Sequence, residues 1–347
     1  MSLICKHVDA LTGYTPGEQP RFEGMVKLNT NENPYPPSPD VSAALASFDW
    51  QKLRLYPDPV CNKVRALIAE LNGCSPEQVF VGNGSDEILA LFTRAFVEVG
   101  GRIGYFDPTY SLYSVLAAIR DATVKPFALN ADFTCPLPPA DYADTFIWTN
   151  PNAPTSLMAD PEVIASFAKS FKGVLLIDEA YADFAPANCM SIATAPENTN
   201  TLVMRTLSKS YSLAGMRFGY CVGPKELIDA LYKIKDSYNM DALAQVIGFA
   251  ALNDQAHMKQ NAAKIIQTRA TLAQALEARG WQVLPSASNF LFAKPPVNAA
   301  ELFAALRERH IFVRYFPAEK TKDYLRITIG TPAEVEKLLA VLADYNA

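Results

Sequence analysis

From residue 78 onward the apolar positions alternate between two patterns. Short continuous runs at 78–81, 102–106, 145–148, 174–177 and 201–204 read as strands buried on both faces. Between some of them, residues 88–97, 110–119 and 161–171 read as helices. Strand and helix in alternation predict an α/β unit with a mostly parallel sheet flanked by helices. Pro224 opens another helix, carried through Leu227, Leu231 and Ile234. The order changes near residue 258. Met258, Ala262, Ile265, Leu272 and Leu276 share one face of a long helix that stops at Gly280. Strands are then expected at 281–283, 289–292, 311–315 and 324–329, with helices near 299–309 and 332–345, a smaller α+β arrangement.

Ahead of residue 78 the pattern is less regular. Val26-Lys-Leu28 reads as a strand, whereas Asn29-Thr-Asn-Glu-Asn-Pro-Tyr-Pro-Pro-Ser-Pro39 holds too much Pro and Asn for regular structure and reads as an extended wrap. A helix follows over 40–48, then a turn at Leu55-Tyr-Pro-Asp-Pro59 and an amphipathic helix through Val64, Leu67, Ile68 and Leu71. A chain of 347 residues exceeds the usual single core. The expected division is a large domain over 40–257 and a small domain made of an N-terminal arm, 1–39, with 258–347.

Half the residues are hydrophobic and the net charge is −5, with no Lys/Arg block, so nucleic acid is not the expected partner. No apolar run reaches transmembrane length. The six cysteines show no CxxC spacing and no secretory signal precedes them, which reads as reduced thiols in the cytoplasm. The three histidines are far apart, and no metal is expected.

Candidate chemistry centres on Thr206-Leu-Ser-Lys-Ser-Tyr-Ser-Leu-Ala-Gly-Met-Arg-Phe-Gly-Tyr220, a loop between strand-like runs that carries Lys209. Alone, Lys209 reads better as a surface lysine with a buried stem. Asp178-Glu-Ala-Tyr181 ends the most apolar strand, at the carboxyl edge where open α/β sheets bind ligands. By itself that acid reads equally as a metal-binding acid or a helix cap. Gly82-Asn-Gly-Ser-Asp-Glu87 is a tight loop before a helix, a place where backbone N–H groups can meet a phosphate. It begins like a dinucleotide fingerprint, with Asp107 ending the next strand, but Glu87 stands in place of the third glycine. A triphosphate-binding Gly-x-x-x-x-Gly-Lys-Ser/Thr is absent. A lysine that attacks a carbonyl must be neutral, so its site must lower its pKa through burial or nearby cations.

Taken together, Leu28-Asn-Thr-Asn-Glu-Asn-Pro34, Tyr56-Pro-Asp-Pro59, Gly82–Glu87, Pro108-Thr-Tyr110, Asn150-Pro-Asn-Ala-Pro-Thr155, Asp178–Tyr181, Leu207-Ser-Lys209, Gly215-Met-Arg217 and Leu325-Arg-Ile-Thr-Ile-Gly330 resemble the histidinol-phosphate aminotransferases. That family lies within the class-I/II pyridoxal-phosphate (PLP) enzymes of fold type I, and the resemblance covers nearly the whole chain. It implies the PLP-transferase fold type I, PLP as cofactor, an amine and a 2-oxo acid as small-molecule substrates, a place in histidine biosynthesis, and a homodimer. Lys209 is then the lysine that holds PLP and acts as general base, Asp178 the partner of the ring nitrogen, Tyr181 that of the phenolic oxygen, and Tyr110 the stacking ring. Ser85, Asp86, Thr206, Ser208 and Arg217 match the phosphate cup, and Tyr56 matches a residue that reaches the neighbouring subunit's phosphate. Arg326 matches a carboxylate clamp; Tyr14 and Arg314 match contacts to the substrate's distal phosphate.

One position departs from the family. An asparagine beside the phenolic oxygen is commonly found where Ala153 stands, and Asn152 is the substitute considered for that contact. Three other readings stay open: an aromatic amino-acid aminotransferase, a threonine-phosphate decarboxylase of the same fold, and a non-catalytic regulator, although no helix-turn-helix extension precedes the body.

Overall fold

The computed structural model describes residues 2–20 and 22–345. Its strands, in chain order, are β1 (Val26–Lys27), β2 (Val79–Gly82), β3 (Arg102–Asp107), β4 (Thr123–Ala128), β5 (Thr145–Thr149), β6 (Val174–Asp178), β7 (Thr201–Thr206), β8 (Gly219–Val222), β9 (Gln282–Val283), β10 (Phe290–Lys294), β11 (Ile311–Phe312), β12 (Arg314–Tyr315) and β13 (Leu325–Thr328). Seven of them form one sheet in the order β2-β8-β7-β6-β5-β3-β4. All its pairings are parallel except those of β8, which runs antiparallel to both β2 and β7.

The continuous apolar runs form the middle of this sheet because both faces are covered. Val79, Phe146, Trp148, Leu175 and Ile177 point into one core, with Phe167 and Ala251 from covering helices. Their neighbours Phe80, Ile147, Leu176 and Leu202 point into the other, with Leu89, Phe92 and Tyr113. A third core lies under the antiparallel sheet β12-β13-β10-β9 and includes Leu276, Phe290, Ile327 and Leu338. β1 pairs with β11 in a separate two-stranded parallel ribbon.

The α/β expectation holds, with local differences. Helix Gly84–Phe96 begins inside the stretch expected to be a loop, so Asp86 and Glu87 sit in its first turn. The strand expected at 311–315 is two short strands in different sheets, with Val313 as the joint. β4 carries Pro126 and is an edge strand, a position where a missing N–H is tolerated. Helix Ala242–Asn253 was not anticipated, because its near-uniform apolar composition shows no helical period.

Asp107, Thr149, Asp178 and Thr206 end the parallel strands β3, β5, β6 and β7. They therefore share one edge, and the helix beginning at Gly84 opens beside it.

Candidate active site

That edge, the N-terminal arm and the β12–β13 sheet enclose a cavity of about 870 Å³ lined by residues of all three. Lys209 stands at its centre on the loop from β7 to β8. The loop is pinned by Leu207 N–H donating to Phe218 O at 2.9 Å and Leu213 N–H to Leu207 O at 3.1 Å. From the Asn-rich stretch, Asn33 Nδ2 donates to the carbonyls of Lys209 at 2.9 Å and Ser210 at 3.2 Å. The Lys209 side chain is partly buried, and its Nζ donates to Thr30 O at 3.3 Å. Burial first, then the charges of Arg326 and Arg217, lower its pKa to about 8 against the opposing pull of Glu32. A useful fraction of the amine is thus neutral near neutral pH.

Asp178 is 4% exposed. Its Oδ2 accepts from the Tyr113 hydroxyl at 2.7 Å and its Oδ1 from Ala180 N–H at 3.1 Å. Burial nevertheless raises its pKa to about 6. A buried carboxylate with its pKa raised is a site that gains from a cation or an N–H donor set against it. Tyr181 follows three residues later; its hydroxyl accepts from Asn31 Nδ2 at 2.9 Å, and its ring centre lies 5.8 Å from Lys209 Nζ.

At one end of the cavity, Ser85, Asp86, Thr206, Ser208 and Arg217 come together. Arg217 Nη2 donates to Asp86 Oδ2 at 2.8 Å and Nη1 to Ser208 Oγ at 3.5 Å, while Thr206 Oγ1 donates to Ser208 Oγ at 3.0 Å. The cradle requires glycine: Gly84 has φ +78°, and a Cβ there would stand 2.8 Å from Arg217 Nη2. Hydroxyls, a guanidinium and the first-turn N–H groups of a helix make an anion site.

The other end is formed by Tyr14, Arg314 and Arg326. Tyr14 packs edge-on against Tyr110, ring centres 5.7 Å apart. Arg326 Nη2 donates to Asn29 O at 2.9 Å, but its Nε, sealed from solvent, has no partner among the described residues. Burial and Arg314 lower the Arg326 pKa. A sealed, unsatisfied guanidinium nitrogen beside a second arginine is matched to an anion brought by a ligand.

Two expected residues lie elsewhere. Asn152 is buried, but its amide is used locally: Oδ1 accepts from Thr109 at 2.7 Å, and Nδ2 donates to Pro108 O at 3.1 Å and Thr155 Oγ1 at 3.0 Å. It is not part of the cavity wall, whereas Ala153 is. Tyr56 is 81% exposed, outside the cavity, and stacked on Tyr238 at 4.4 Å. Sequence reasoning did not single out Tyr113, Asn31 or Glu32. Tyr113 is one aromatic in an apolar helix and carries no signal; Asn31 and Glu32 lie in a motif noted as a whole, and only the fold gives each a partner.

Among the described residues no cluster of potential metal ligands occurs, and no helix is long and apolar enough to cross a membrane.

The family model for aminotransferase class I and II matches residues 23–342. The chain is 44% identical to the histidinol-phosphate aminotransferase of Syntrophotalea carbinolica, covering 100% of both, and 43% identical to that of Synechocystis sp., covering 96% of this chain and 95% of the relative. In fold it resembles the histidinol-phosphate aminotransferase of Sinorhizobium meliloti, crystallised in complex with pyridoxal-5'-phosphate (TM-score 0.88, 23% identity, 99% and 97% covered). It also resembles an aspartate aminotransferase mutant of Thermus thermophilus (TM-score 0.83, 20% identity, 99% of each covered). The fold is thus shared by proteins named for different substrates, while both of these sequence relatives are named histidinol-phosphate aminotransferases. The chain belongs to the class I and II aminotransferases.

Proposed function

We propose that this aminotransferase uses pyridoxal phosphate to move an amino group between histidinol phosphate and 2-oxoglutarate or glutamate, within histidine biosynthesis. The observation that carries the reading is a single cavity with a neutralisable lysine, a buried carboxylate and a tyrosine hydroxyl in the middle, and an anion site at each end. The 44% and 43% identical relatives named for histidinol phosphate support the choice of substrate.

The residues present fit the cofactor. The buried carboxylate of Asp178, with no cationic partner among the described residues, suits a protonated ring nitrogen, the Gly84 cradle with Ser85, Asp86, Thr206, Ser208 and Arg217 suits a phosphate, and Tyr110 and Tyr181 supply a ring face and a phenolic partner. Bound there, pyridoxal phosphate supplies an electron sink for the charge left when the substrate carbon loses its proton. Lys209 would hold the cofactor, and its Nζ, when neutral, would take the proton from the substrate carbon and return it. Asp178 would hold the protonated ring nitrogen, whose charge would favour the ionised carboxylate. Arg326 orients the substrate's anionic group, whether phosphate or glutamate carboxylate, and Tyr14 and Arg314 hold the distal phosphate.

Two further parts of the reading go with it. The exposed Tyr56, in a stretch with exposed Trp50, Leu53 and Leu55, fits a homodimer in which it reaches the partner's cofactor phosphate. The free cysteines fit a reducing cytoplasm. The large domain over 40–257 and the small domain of 1–39 with 258–347 remain the division we favour, with the cavity between them.

The test is to mix purified, cofactor-loaded enzyme separately with histidinol phosphate, phenylalanine and threonine phosphate and follow the visible cofactor band. Histidinol phosphate should bleach it at the lowest concentration. Preferential bleaching by phenylalanine, or carbon dioxide released from threonine phosphate, would replace this reading with an aromatic aminotransferase or a decarboxylase.

A further inference from the structure

Tyr181 has one hydroxyl proton, and whether that proton points into the cavity depends on what else bonds to the oxygen. Asn31 bonds to it. Asn31 is 1% exposed, in the left-handed region at φ +55°, and its polar atoms form a closed set. Its backbone N–H donates to Thr328 Oγ1 at 2.9 Å, Thr328 Oγ1 donates to Asn31 Oδ1 at 3.0 Å, and Asn31 Nδ2 donates to the Tyr181 hydroxyl at 2.9 Å. The Asn31 carbonyl accepts from Asn289 Nδ2 at 3.0 Å, which fixes the backbone from the β10 side.

Proton counting assigns the amide orientation. Thr328 Oγ1 accepts the Asn31 N–H, and the acceptor its own proton finds among the described residues is Asn31 Oδ1. That leaves Nδ2 facing Tyr181, whose oxygen is then an acceptor on that side with its proton free for the cavity. In the flipped orientation the Thr328 proton would meet an NH₂ group, and Oδ1 would take the Tyr181 proton. Ala153, in the same cavity wall, has no side-chain donor to contribute.

We propose that Asn31, held by Thr328, is a positioning residue that keeps Tyr181 a hydrogen-bond donor toward the phenolic oxygen of the cofactor. The proposal rests on the cofactor reading above and extends it: a residue of the N-terminal segment and one on β13, the strand of Arg326, together set the electronic state of the cofactor. A donor at a phenolate stabilises the negative charge there and lowers the pH at which the lysine-bound cofactor loses its proton.

The experiment is a pH titration of the visible absorption band in the cofactor-loaded wild type and in Thr328→Val, Thr328→Ser and Asn31→Asp. Thr328→Val removes the proton that fixes the amide and adds no charge; Thr328→Ser keeps it. Asparagine and aspartate both tolerate positive φ, so Asn31→Asp tests the polarity without backbone strain. The midpoint should rise by about one pH unit in Thr328→Val and by more in Asn31→Asp, and stay at the wild-type value in Thr328→Ser. Wild-type midpoints in Thr328→Val and Asn31→Asp, with the band intact, would overturn the proposal and leave the cofactor assignment standing. A wild type with no such band, or one equally present in Lys209→Ala, would overturn the assignment itself and the proposal with it. If Asn31→Asp fails to fold, the Thr328→Val and Thr328→Ser pair decides alone.

Discussion

Arg314 and Arg326 stand directly opposite one another on β12 and β13, two guanidinium side chains on the same face of an antiparallel pair. Like charges in that relation repel, and here the deeper one also has its pKa lowered by burial and by its neighbour. Neither arginine takes part in an ion pair with a carboxylate among the described residues. The arrangement makes sense as a doubly cationic receptor: the repulsion is relieved when a dianion enters, so part of the binding energy comes from strain already in the free protein.

Arg314→Gln should therefore make the free enzyme slightly more stable, by about 0.2–1 kcal/mol. The same change should weaken a phosphorylated substrate by about 1.5–3 kcal/mol, or roughly tenfold to a hundredfold in KM. Glutamate, with no distal phosphate, should be affected much less. Thermal melts and KM for histidinol phosphate and glutamate check this; an equal loss for both substrates would remove Arg314 from the phosphate site.

Lys209 must be neutral to capture the cofactor, and its pKa of about 8 is set by burial, Arg326 and Arg217. Uptake of pyridoxal phosphate by cofactor-free enzyme should accelerate as pH rises through about 8. Replacing Arg326 by Gln removes a cation that favours the neutral amine, so the midpoint should move upward. Lys209→Ala should show no borohydride-reducible attachment and no turnover at any pH. A midpoint unmoved by Arg326→Gln would mean that Arg326 is not among the charges that set the lysine.

Asp178 gives a stability prediction with a definite sign. Its folded pKa of about 6 lies above its ordinary 3.8, so its favourable contribution is present below pH 4 and lost as pH rises through 6. The difference corresponds to roughly 3 kcal/mol. Cofactor-free Asp178→Asn should thus melt near the wild type at pH 4 and above it at pH 8, yet lose most turnover when loaded. Tyr113→Phe deletes the 2.7 Å hydrogen bond that opposes the shift and should make the wild-type loss steeper. Parallel melting curves across this range would show that the carboxylate is better solvated than its burial implies.

The large sheet was legible because double burial forces continuous apolar strands, and the lysine loop because unlike chemistries cluster between two of them. What was not legible depends on contacts across the fold. Nothing near Tyr113 announces that it will meet Asp178, far along the chain, and nothing near Asn152 announces that its amide will bond to Thr109 and Pro108. The start of helix Gly84–Phe96 was placed late because glycine and asparagine at its head read as a turn; the strand expected at 311–315 was divided by a change of sheet that leaves no local trace.

The lysine loop rests on a largely buried ion triad whose removal should separate stability from chemistry. Arg205 Nε donates to Glu179 Oε2 at 2.8 Å and Nη1 to Asp183 Oδ1 at 2.8 Å, and the Glu179 side chain has no solvent exposure. Asp183 in turn accepts from the Ser210 hydroxyl, next to Lys209. Arg205→Met strands the buried Glu179 carboxylate and leaves the partly exposed Asp183 without its cation, a loss of about 3–5 kcal/mol. In a chain of this size that corresponds to a fall in melting temperature of about 4–7 °C. Cofactor affinity should fall too, because Ser210 and the loop lose their anchor, whereas Lys209→Ala should remove attachment with little change in the melting temperature of the cofactor-free protein. Adding Glu179→Leu to Arg205→Met removes one stranded charge and should recover part of the stability. A double variant no more stable than Arg205→Met would mean that Glu179 is held mainly by its own backbone contacts, Cys189 N–H among them, and not by the arginine.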